Sequence, residues 1–155
     1  MSITRRAFLY QTAFGTAAGA ALIAFPAAAA TRPVYSNRQG VAVDGSDVVA
    51  YFTDGAPVAG SRDITHIWNG ATWRFSTEEN RAAFVANPEA YAPQYGGYCA
   101  WAVSQGYTAS TTPEAWKIVN GKLYLNFSRR VQRRWERDIP GNIAAGDANW
   151  PGVLA

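Results

Sequence analysis

Two side chains suited to metal or nucleophilic chemistry occur once each in this sequence. Cys99 is the only cysteine of the 155-residue chain, and His66 is its only histidine. A thiol paired with an imidazole is the minimum for thiol catalysis, and the same pair supplies two ligands to a metal ion. Because a metal site needs further ligands, Asp44, Asp47 and Tyr51 are the nearest candidates to complete it.

The neighbours of these two residues favour a plainer interpretation of both. Cys99 lies in a Gly-Gly-Tyr-Cys-Ala-Trp segment, where a buried, inert thiol with a raised pKa is expected. His66 lies on a predicted strand with alternating side chains, so either His66 or Ile67 faces outward. We expect a surface or edge histidine, and a contact between His66 and Cys99 stays open.

Aromatic rings around the same loop indicate a second kind of site, one for a small ligand. All six Trp and seven of the eight Tyr follow residue 30, and most should lie in the core, because a small domain without disulfides needs large buried area. The rings beside the glycines of loop 94–101 are the candidates for pocket lining. The ligand-binding candidates are therefore Tyr95, Tyr98, Cys99 and Trp101, and the metal candidates are Cys99 and His66.

A cluster of arginines surrounds the apolar positions Val131 and Trp135 of a predicted helix. Such a cluster fits anionic lipid headgroups or an acidic partner. A solvated helix face, partly neutralised by Glu136 and Asp138, is the plainer interpretation and the expected one. The arginines are Arg129, Arg130, Arg133, Arg134 and Arg137.

The elements that position these residues follow from turn and capping signals. Asn69-Gly70 and Asn120-Gly121 each predict a two-residue hairpin turn between short strands. A helix is predicted after Ser76-Thr77, ending near Ala86 before Asn87-Pro88. A second helix is predicted over about 129–137.

The remaining segments are predicted less regularly. Residues 41–52 predict two short strands around a turn at 44–47, and residues 93–101 predict a packed loop. The C-terminal tail is expected to follow the surface with one short helical piece. The sequence thus predicts a small α+β domain over residues 31–155, in which short antiparallel hairpins pack on two or three helices.

The first thirty residues have the features of a twin-arginine signal peptide. Arg5-Arg6 precede an uncharged run, and Ala28 and Ala30 suit cleavage before Thr31, although a retained membrane anchor is the alternative. We expect cleavage and a periplasmic protein that contacts the membrane only through its signal peptide. Losing the two arginines lowers the net charge from +3 to +1, which gives no support for nucleic-acid binding.

Several blocks of the chain resemble the YHS domain, in particular its exported bacterial branch. The matching blocks are 45–52, 68–75 with Phe84, Asn87-Pro88 and Tyr91, then 91–100 and 116–126. The resemblance spans about residues 41–152. It implies strands packed on a helix, as in treble-clef-like metal-binding modules.

The same resemblance bears on the metal. Metal-handling YHS relatives, found beside copper pumps, carry a Phe-Cys-Ser-x-x-Cys pattern, whereas this chain has Ser76 and Asn80 at the cysteine positions. Binding of copper, zinc or iron through that cysteine pair therefore does not carry over, and Ser76 or Thr77 is expected to cap the helix. The exported relatives imply no transferable activity.

The sequence leads to one function with two alternatives. The expected function is an exported YHS-type binding or accessory protein that holds a metal ion or small ligand at loop 94–101. The alternatives are a thiol-dependent enzyme that uses Cys99, and an interaction domain with no small-molecule site. No nucleophile elbow, phosphate loop, metalloprotease motif or cysteine-pair motif occurs, so no motif favours the enzyme alternative.

Overall fold

The computed structural model describes residues 31–155, and the predicted signal peptide lies outside the described residues. The strands are β1 (Thr65–Trp68), β2 (Ala71–Arg74), β3 (Trp116–Val119) and β4 (Lys122–Leu125). The α-helices are α1 (Ala50–Thr53), α2 (Glu78–Ala86), α3 (Pro88–Tyr91), α4 (Ala100–Ser104), α5 (Arg129–Trp135) and α6 (Ile139–Asn149). The α+β prediction is confirmed, since two hairpins accompany three helices of at least seven residues and three shorter ones.

Both predicted hairpins form with the expected turns. β1 pairs antiparallel with β2 around Asn69-Gly70, and β3 pairs with β4 around Asn120-Gly121. Each Asn has φ near +50° and each Gly has φ above +70°. Because Asn and Gly tolerate positive φ better than other residues, each turn can follow the right-handed twist of its strands.

The predicted helix after the first hairpin is also confirmed. Thr77 caps α2, since its hydroxyl accepts a hydrogen bond from the Asn80 amide at 3.1 Å. The helix ends at Ala86, and Pro88 then begins α3. Proline disfavours helical geometry in the residue before it, and Asn87 accordingly has extended torsions, with ψ at 78°.

Residues 41–52 differ from the prediction of two strands. A 3-10 turn spans Val43–Gly45, and α1 follows after Asp47. The Asp47 carboxylate accepts hydrogen bonds from the amides of Val49 and Ala50, at 2.9 and 3.4 Å. These bonds hold the start of a helix and compete with strand pairing, which explains the error.

Aromatic side chains build two adjoining cores. The first core packs the hairpins against α2, with the Phe84 ring 5.0 Å from the Trp73 ring and 5.1 Å from the Phe75 ring. In the second core, the Tyr124 ring lies 5.2 Å from Trp135 and 5.9 Å from Tyr95. The prediction that most rings lie in the core is thus confirmed for these residues.

The C-terminal tail is more helical than predicted. The single short helical piece is in fact the 11-residue α6, and the end of the predicted loop 93–101 opens α4, against which α6 packs. The Asn149 amide donates to the carbonyl oxygens of Val103 and Ser104, at 2.9 and 3.2 Å. Carbonyls at the end of α4 thereby gain partners that their own helix does not supply.

The helices are also short by the standard of membrane spans. Within residues 31–155, no helix has both the length and the apolar character needed to cross a bilayer.

Candidate functional site

The predicted loop 94–101 is divided between two different surroundings. Its first half is a 3-10 turn, Gln94–Gly97, whereas Ala100 and Trp101 begin α4. Tyr95 and Gly96 line a cleft of about 510 Å³, and Cys99 and Trp101 line a separate cavity of about 280 Å³. The four predicted ligand residues therefore do not form one site.

We call the larger cavity the aromatic cleft. It lies where the two ends of the described chain meet the first hairpin and the 3-10 turn. Its walls are mostly apolar rings and prolines, with a few polar groups. The lining residues are Pro33, Val34, Trp68, Asn69, Trp73, Glu89, Ala92, Pro93, Gln94, Tyr95, Gly96, Trp150, Pro151 and Leu154.

Tyr95 forms part of the cleft wall and is held firmly from behind. Its side chain is only 5% exposed, and its hydroxyl donates to Asp147 Oδ1 at 3.0 Å and lies 3.2 Å from the Ile143 carbonyl oxygen. Burial, together with the bond to the Asp147 carboxylate and its charge, raises the pKa of Tyr95 well above its usual range. Tyr95 is therefore a neutral hydrogen-bond donor at physiological pH.

The neighbouring glycines explain how the ring fits there. A Cβ atom at Gly146 of α6 would come within 2.7 Å of Tyr95 Cζ, so only glycine leaves room for the ring. Tyr95 itself has φ of 57°, a left-handed conformation that costs free energy in a residue with a side chain. The backbone is thus bent to bring Tyr95 against α6.

Gly96 is needed at the cleft for two reasons. Its φ is 61°, and a Cβ atom there would overlap the Pro33 carbonyl oxygen and touch the Trp150 ring. The Gly96 carbonyl also accepts a hydrogen bond from the Tyr35 amide at 2.9 Å. The 3-10 turn therefore joins the two ends of the described chain at this wall.

Tyr98 supports the cleft without lining it. It is 7% exposed, and its hydroxyl donates to the Arg32 carbonyl oxygen at 2.8 Å. Its ring packs 5.7 Å from Tyr35 and 6.3 Å from Trp150. The predicted binding role of Tyr98 is thus replaced by a packing role behind Trp150.

Cys99 is buried and its sulfur is already hydrogen-bonded. The residue is 1% exposed, its Sγ accepts a bond from the Phe127 amide at 3.3 Å, and its thiol lies 3.6 Å from Asn126 Oδ1. Burial raises the pKa of the Cys99 thiol. This geometry is that of the inert thiol expected from the sequence, with low thiolate content and little access.

His66 lies beside the first core and shares no contact partner with Cys99 among the described residues. Its ring meets Phe84 edge-on at 6.3 Å, and its strand partner is Trp73. Ile67 is the outward residue of the pair, with 74% of its surface exposed. The alternation holds with Ile67 outward, so His66 is a partly buried residue packed on Phe84 and not the surface histidine expected from the sequence.

The described residues do not fit a metal ion. Residues 31–155 contain no group of three or more His, Cys, Asp or Glu side chains placed to hold one. Of the residues named as further ligands, Tyr51 donates its hydroxyl to the Pro113 carbonyl at 2.8 Å, and Asp44 is exposed on a turn. We therefore derive no chemistry through a metal.

Ser76 and Asn80, at the positions of the metal-binding cysteines in the resembling family, bind a buried carboxylate instead. Asp47 is fully buried, and its Oδ2 accepts bonds from the Ser76 amide at 2.8 Å, the Ser76 hydroxyl at 2.7 Å and the Asn80 amide group at 2.8 Å. With two further amide donors on Oδ1, the carboxylate replaces water with protein partners. This network joins α1 to the start of α2.

The sequence did not indicate the residues that complete the aromatic cleft. Glu89 lies on α3, Trp68 at the end of β1 and Trp150 just after α6. The available signal was the presence of tryptophans in both the first hairpin and the C-terminal tail. The residues next to a tryptophan do not indicate whether its ring lines a cleft or packs in the core. Asp147, which holds Tyr95, was missed because the tail was predicted to follow the surface with one short helical piece, whereas the 11-residue α6 packs against Tyr95.

Comparison with known proteins adds no relative to this picture. No family model, no curated protein and no solved structure matches the chain.

Proposed function

We propose that this chain is an exported, YHS-type binding protein whose aromatic cleft holds a small organic cation. Export to the periplasm and the YHS relationship are carried by the sequence features of residues 1–30 and 41–152. The ligand class is carried by one observation: an aromatic cleft of about 510 Å³ whose lining includes a single carboxylate and no cationic side chain among the described residues.

The size and walls of the cleft suit a small molecule. Sites for small ligands usually enclose about 300–1,000 Å³ and are lined by apolar and aromatic groups with a few polar ones. Here Trp68, Tyr95 and Trp150 supply rings, whereas Asn69 and Gln94 supply amide groups. A ligand with one apolar face and few polar atoms would match these walls.

The charge of the cleft selects among such ligands. Glu89 is the only acidic residue in the lining, and it makes no ion pair with any residue of 31–155. A second carboxylate, Asp147, lies directly behind Tyr95. Both charges attract a cation, and the faces of tryptophan and tyrosine rings attract cations as well.

A substituted ammonium ion fits these features better than a free metal ion or a simple ammonium. Its alkyl groups can contact the rings of Trp68 and Trp150, whereas a compact cation would lose strong hydration on entering the cleft. Neither Cys99 nor His66 lines the cleft, so the proposal is binding without bond-breaking chemistry.

The proposal is tested by titration calorimetry with a matched pair of ligands. Choline and its neutral carbon analogue 3,3-dimethylbutan-1-ol have the same shape, and choline should bind about tenfold more tightly because of cation–π and carboxylate attraction. Trp150→Ala should abolish measurable binding, and Glu89→Gln should weaken it. Trp101→Ala is the matched control, since that ring lies outside the cleft.

The outcomes separate the parts of the proposal. Equal affinity for the two ligands would contradict cation recognition while leaving the cleft as a ligand site. Unchanged choline affinity in Trp150→Ala would show that the aromatic cleft is not the binding site. Recovery of the protein from a bacterial periplasm with its N-terminus at Thr31 would support export, whereas retention of the first thirty residues in the cytoplasm would contradict it.

A further inference from the structure

The arginines of α5 form part of a second surface that has no role in the aromatic cleft. We call it the arginine-aromatic surface and define it by Trp101, Tyr107, Phe127, Arg130, Arg134 and Arg137. The 280 Å³ cavity is lined by Tyr107, Phe127 and Arg134 together with Trp101, and an adjoining cavity of about 470 Å³ is lined by Trp101, Arg134 and Arg137. Neither cavity shares a lining residue with the aromatic cleft.

The positive charge of this surface is concentrated and unpaired. Five of the twelve Lys and Arg residues after residue 30 lie between Arg129 and Arg137. Within residues 31–155, the ion pairs are Arg81 with Glu78 and Lys117 with Glu136, so none of the five arginines forms one. Their charge is therefore available to a partner.

The two nearby acids, which the sequence suggested would partly neutralise the arginines, form no ion pair with them. Glu136 Oε1 lies 3.3 Å from Lys117 Nζ and accepts a hydrogen bond from Gln132 at 3.0 Å. Asp138 Oδ1 accepts a bond from the Gly141 amide at 3.0 Å and caps α6. Asp138 also lines the cavity of about 470 Å³ beside Arg134 and Arg137, so this side of the surface is partly neutralised, as expected from the sequence.

Large apolar side chains project beside these charges. Phe127 is 56% exposed and Tyr107 is 52% exposed. Burial of these large rings against a partner would be energetically favourable. Phe127 precedes the Ser128 cap and therefore lies outside α5, but it lines the cavity of about 280 Å³ together with Tyr107 and Arg134. Two aromatic rings and one guanidinium group therefore border the same cavity.

One arginine is already held in place on this surface. The Arg134 guanidinium carbon lies 5.6 Å from the centre of the Trp101 ring, and this contact orients it at the junction of the two cavities. Arg130 and Arg134 lie about 6 Å apart along the axis of α5, at about 1.5 Å per residue, and Arg137 follows in the 3-10 turn Glu136–Asp138. The three guanidinium groups are therefore spread widely enough to contact more than one headgroup phosphate.

We propose that the arginine-aromatic surface docks on an anionic lipid bilayer, with Phe127 and Tyr107 entering the interface and the arginines contacting lipid phosphates. Basic residues next to exposed aromatic rings are the composition of surface-bound helices, in which the rings sit at the headgroup level. Membrane contact would then persist after the signal peptide is lost, contrary to the expectation from the sequence. The competing occupant is an acidic protein. Such a partner would bind the arginines without using the exposed Phe127 ring.

The test is co-sedimentation of the processed protein with vesicles. Vesicles of phosphatidylglycerol and phosphatidylcholine should bind the protein, while pure phosphatidylcholine should not, and binding should weaken with added salt. Each arginine near an anionic bilayer contributes about a fivefold gain in partitioning, so the triple variant Arg130→Gln/Arg134→Gln/Arg137→Gln should bind about a hundredfold more weakly. All variants are compared in the same processed form.

Two matched controls make the result specific. The triple variant Arg38→Gln/Arg62→Gln/Lys122→Gln removes the same charge from exposed positions elsewhere and should bind as the parent does. Phe127→Ala should weaken binding, whereas Ile67→Ala, at an even more exposed apolar residue on β1, should not.

Three results would overturn the proposal. They are absence of binding to the anionic vesicles, equal loss in both triple variants, and equal binding of Phe127→Ala and the parent. Tighter binding to soluble polyglutamate than to vesicles would assign the surface to an acidic protein instead. Because the changed side chains are exposed, we expect each variant to fold. Thermal unfolding curves check this.

Discussion

The aromatic cleft and the arginine-aromatic surface are built in opposite ways. The cleft combines segments far apart in the chain, with buried or half-buried rings around a glycine turn, and its lining carries one carboxylate. The arginine-aromatic surface comes mainly from α5 and its flanks, with exposed side chains and unpaired cations. Changes in the cleft should therefore alter stability and shape, whereas changes on the surface should alter only what binds there.

The largest effect is expected at Gly96. Gly96→Ala should lower the free energy of unfolding by about 2–5 kcal/mol, because it combines a strained positive φ with an overlap at Pro33. Gly121→Ala is the matched control, with positive φ but no atom within 4 Å of the added Cβ, and should cost only about 1–2 kcal/mol. Urea unfolding of both variants measures the difference; equal losses would show that the close approach to Pro33 is absent.

A smaller effect is expected at the back of Tyr95. Gly146→Ala pushes the Tyr95 ring toward the cleft, and it should cost about 1–2 kcal/mol even though alanine favours helix. Gly152→Ala has open space around the added Cβ and should stay within about 0.5 kcal/mol of the parent. Thermal unfolding and choline titration of both variants check this. Normal stability and normal binding in Gly146→Ala would contradict the packing of Tyr95 on α6.

The tyrosine hydroxyl behind the cleft gives a pH-dependent effect of about 1 kcal/mol. The pKa of Tyr95 is raised in the folded protein above its ordinary value of 10.0, so its stabilisation is complete below that pH. As the pH rises past 10.0, the unfolded chain loses its proton first and the stabilisation declines. Tyr95→Phe should therefore be about 1 kcal/mol less stable than the parent near neutral pH, with a shallower decline above the ordinary pKa.

The same experiment has a control on the arginine-aromatic surface. The Tyr107 side chain is 52% exposed, and Tyr107→Phe should leave the free energy of unfolding close to the parent's. Urea midpoints measured across the alkaline range give both curves. Parallel curves for Tyr95→Phe and the parent would mean that the hydroxyl is not buried against Asp147.

The smallest effect on stability is expected for the arginines of α5. The triple variant Arg130→Gln/Arg134→Gln/Arg137→Gln removes no ion pair of the described residues, so its free energy of unfolding should stay within about 1 kcal/mol of the parent, mostly through the Arg134 contact with Trp101. Urea unfolding checks this value. A loss of several kcal/mol would show that these side chains serve the fold rather than a partner.

Local signals in the sequence predicted those parts of the fold that local chemistry determines. Asn-Gly turns predicted both hairpins, and the Thr77 cap with Pro88 beyond it predicted both ends of α2. Residues 41–52 were wrongly predicted as strands, because the carboxylate of Asp47 finds its partners in Val49 and Ala50 and in the distant residues Ser76 and Asn80. A β-prone composition does not reveal such a contact.

The site was predicted only in part, for a similar reason. Tyr95 was selected from the sequence because it lies beside glycines, and it does line the cleft, whereas its role in binding stays a prediction. Glu89 and Trp150 could not be selected, because they are 61 residues apart and line one cleft only once α6 packs on α4, a contact that has no local signal. Cys99, the most reactive side chain by type, is buried and belongs to the other cavity.

The central claim is that the aromatic cleft, and not the region around Cys99, receives the ligand. A ¹H–¹⁵N spectrum resolves the six tryptophan indoles, which are spread over both regions. Titration with tetramethylammonium should shift the indole signals of Trp68 and Trp150 and leave those of Trp101 and Trp135 in place. Shifts confined to Trp101, or no indole shift at saturating concentration, would contradict the account.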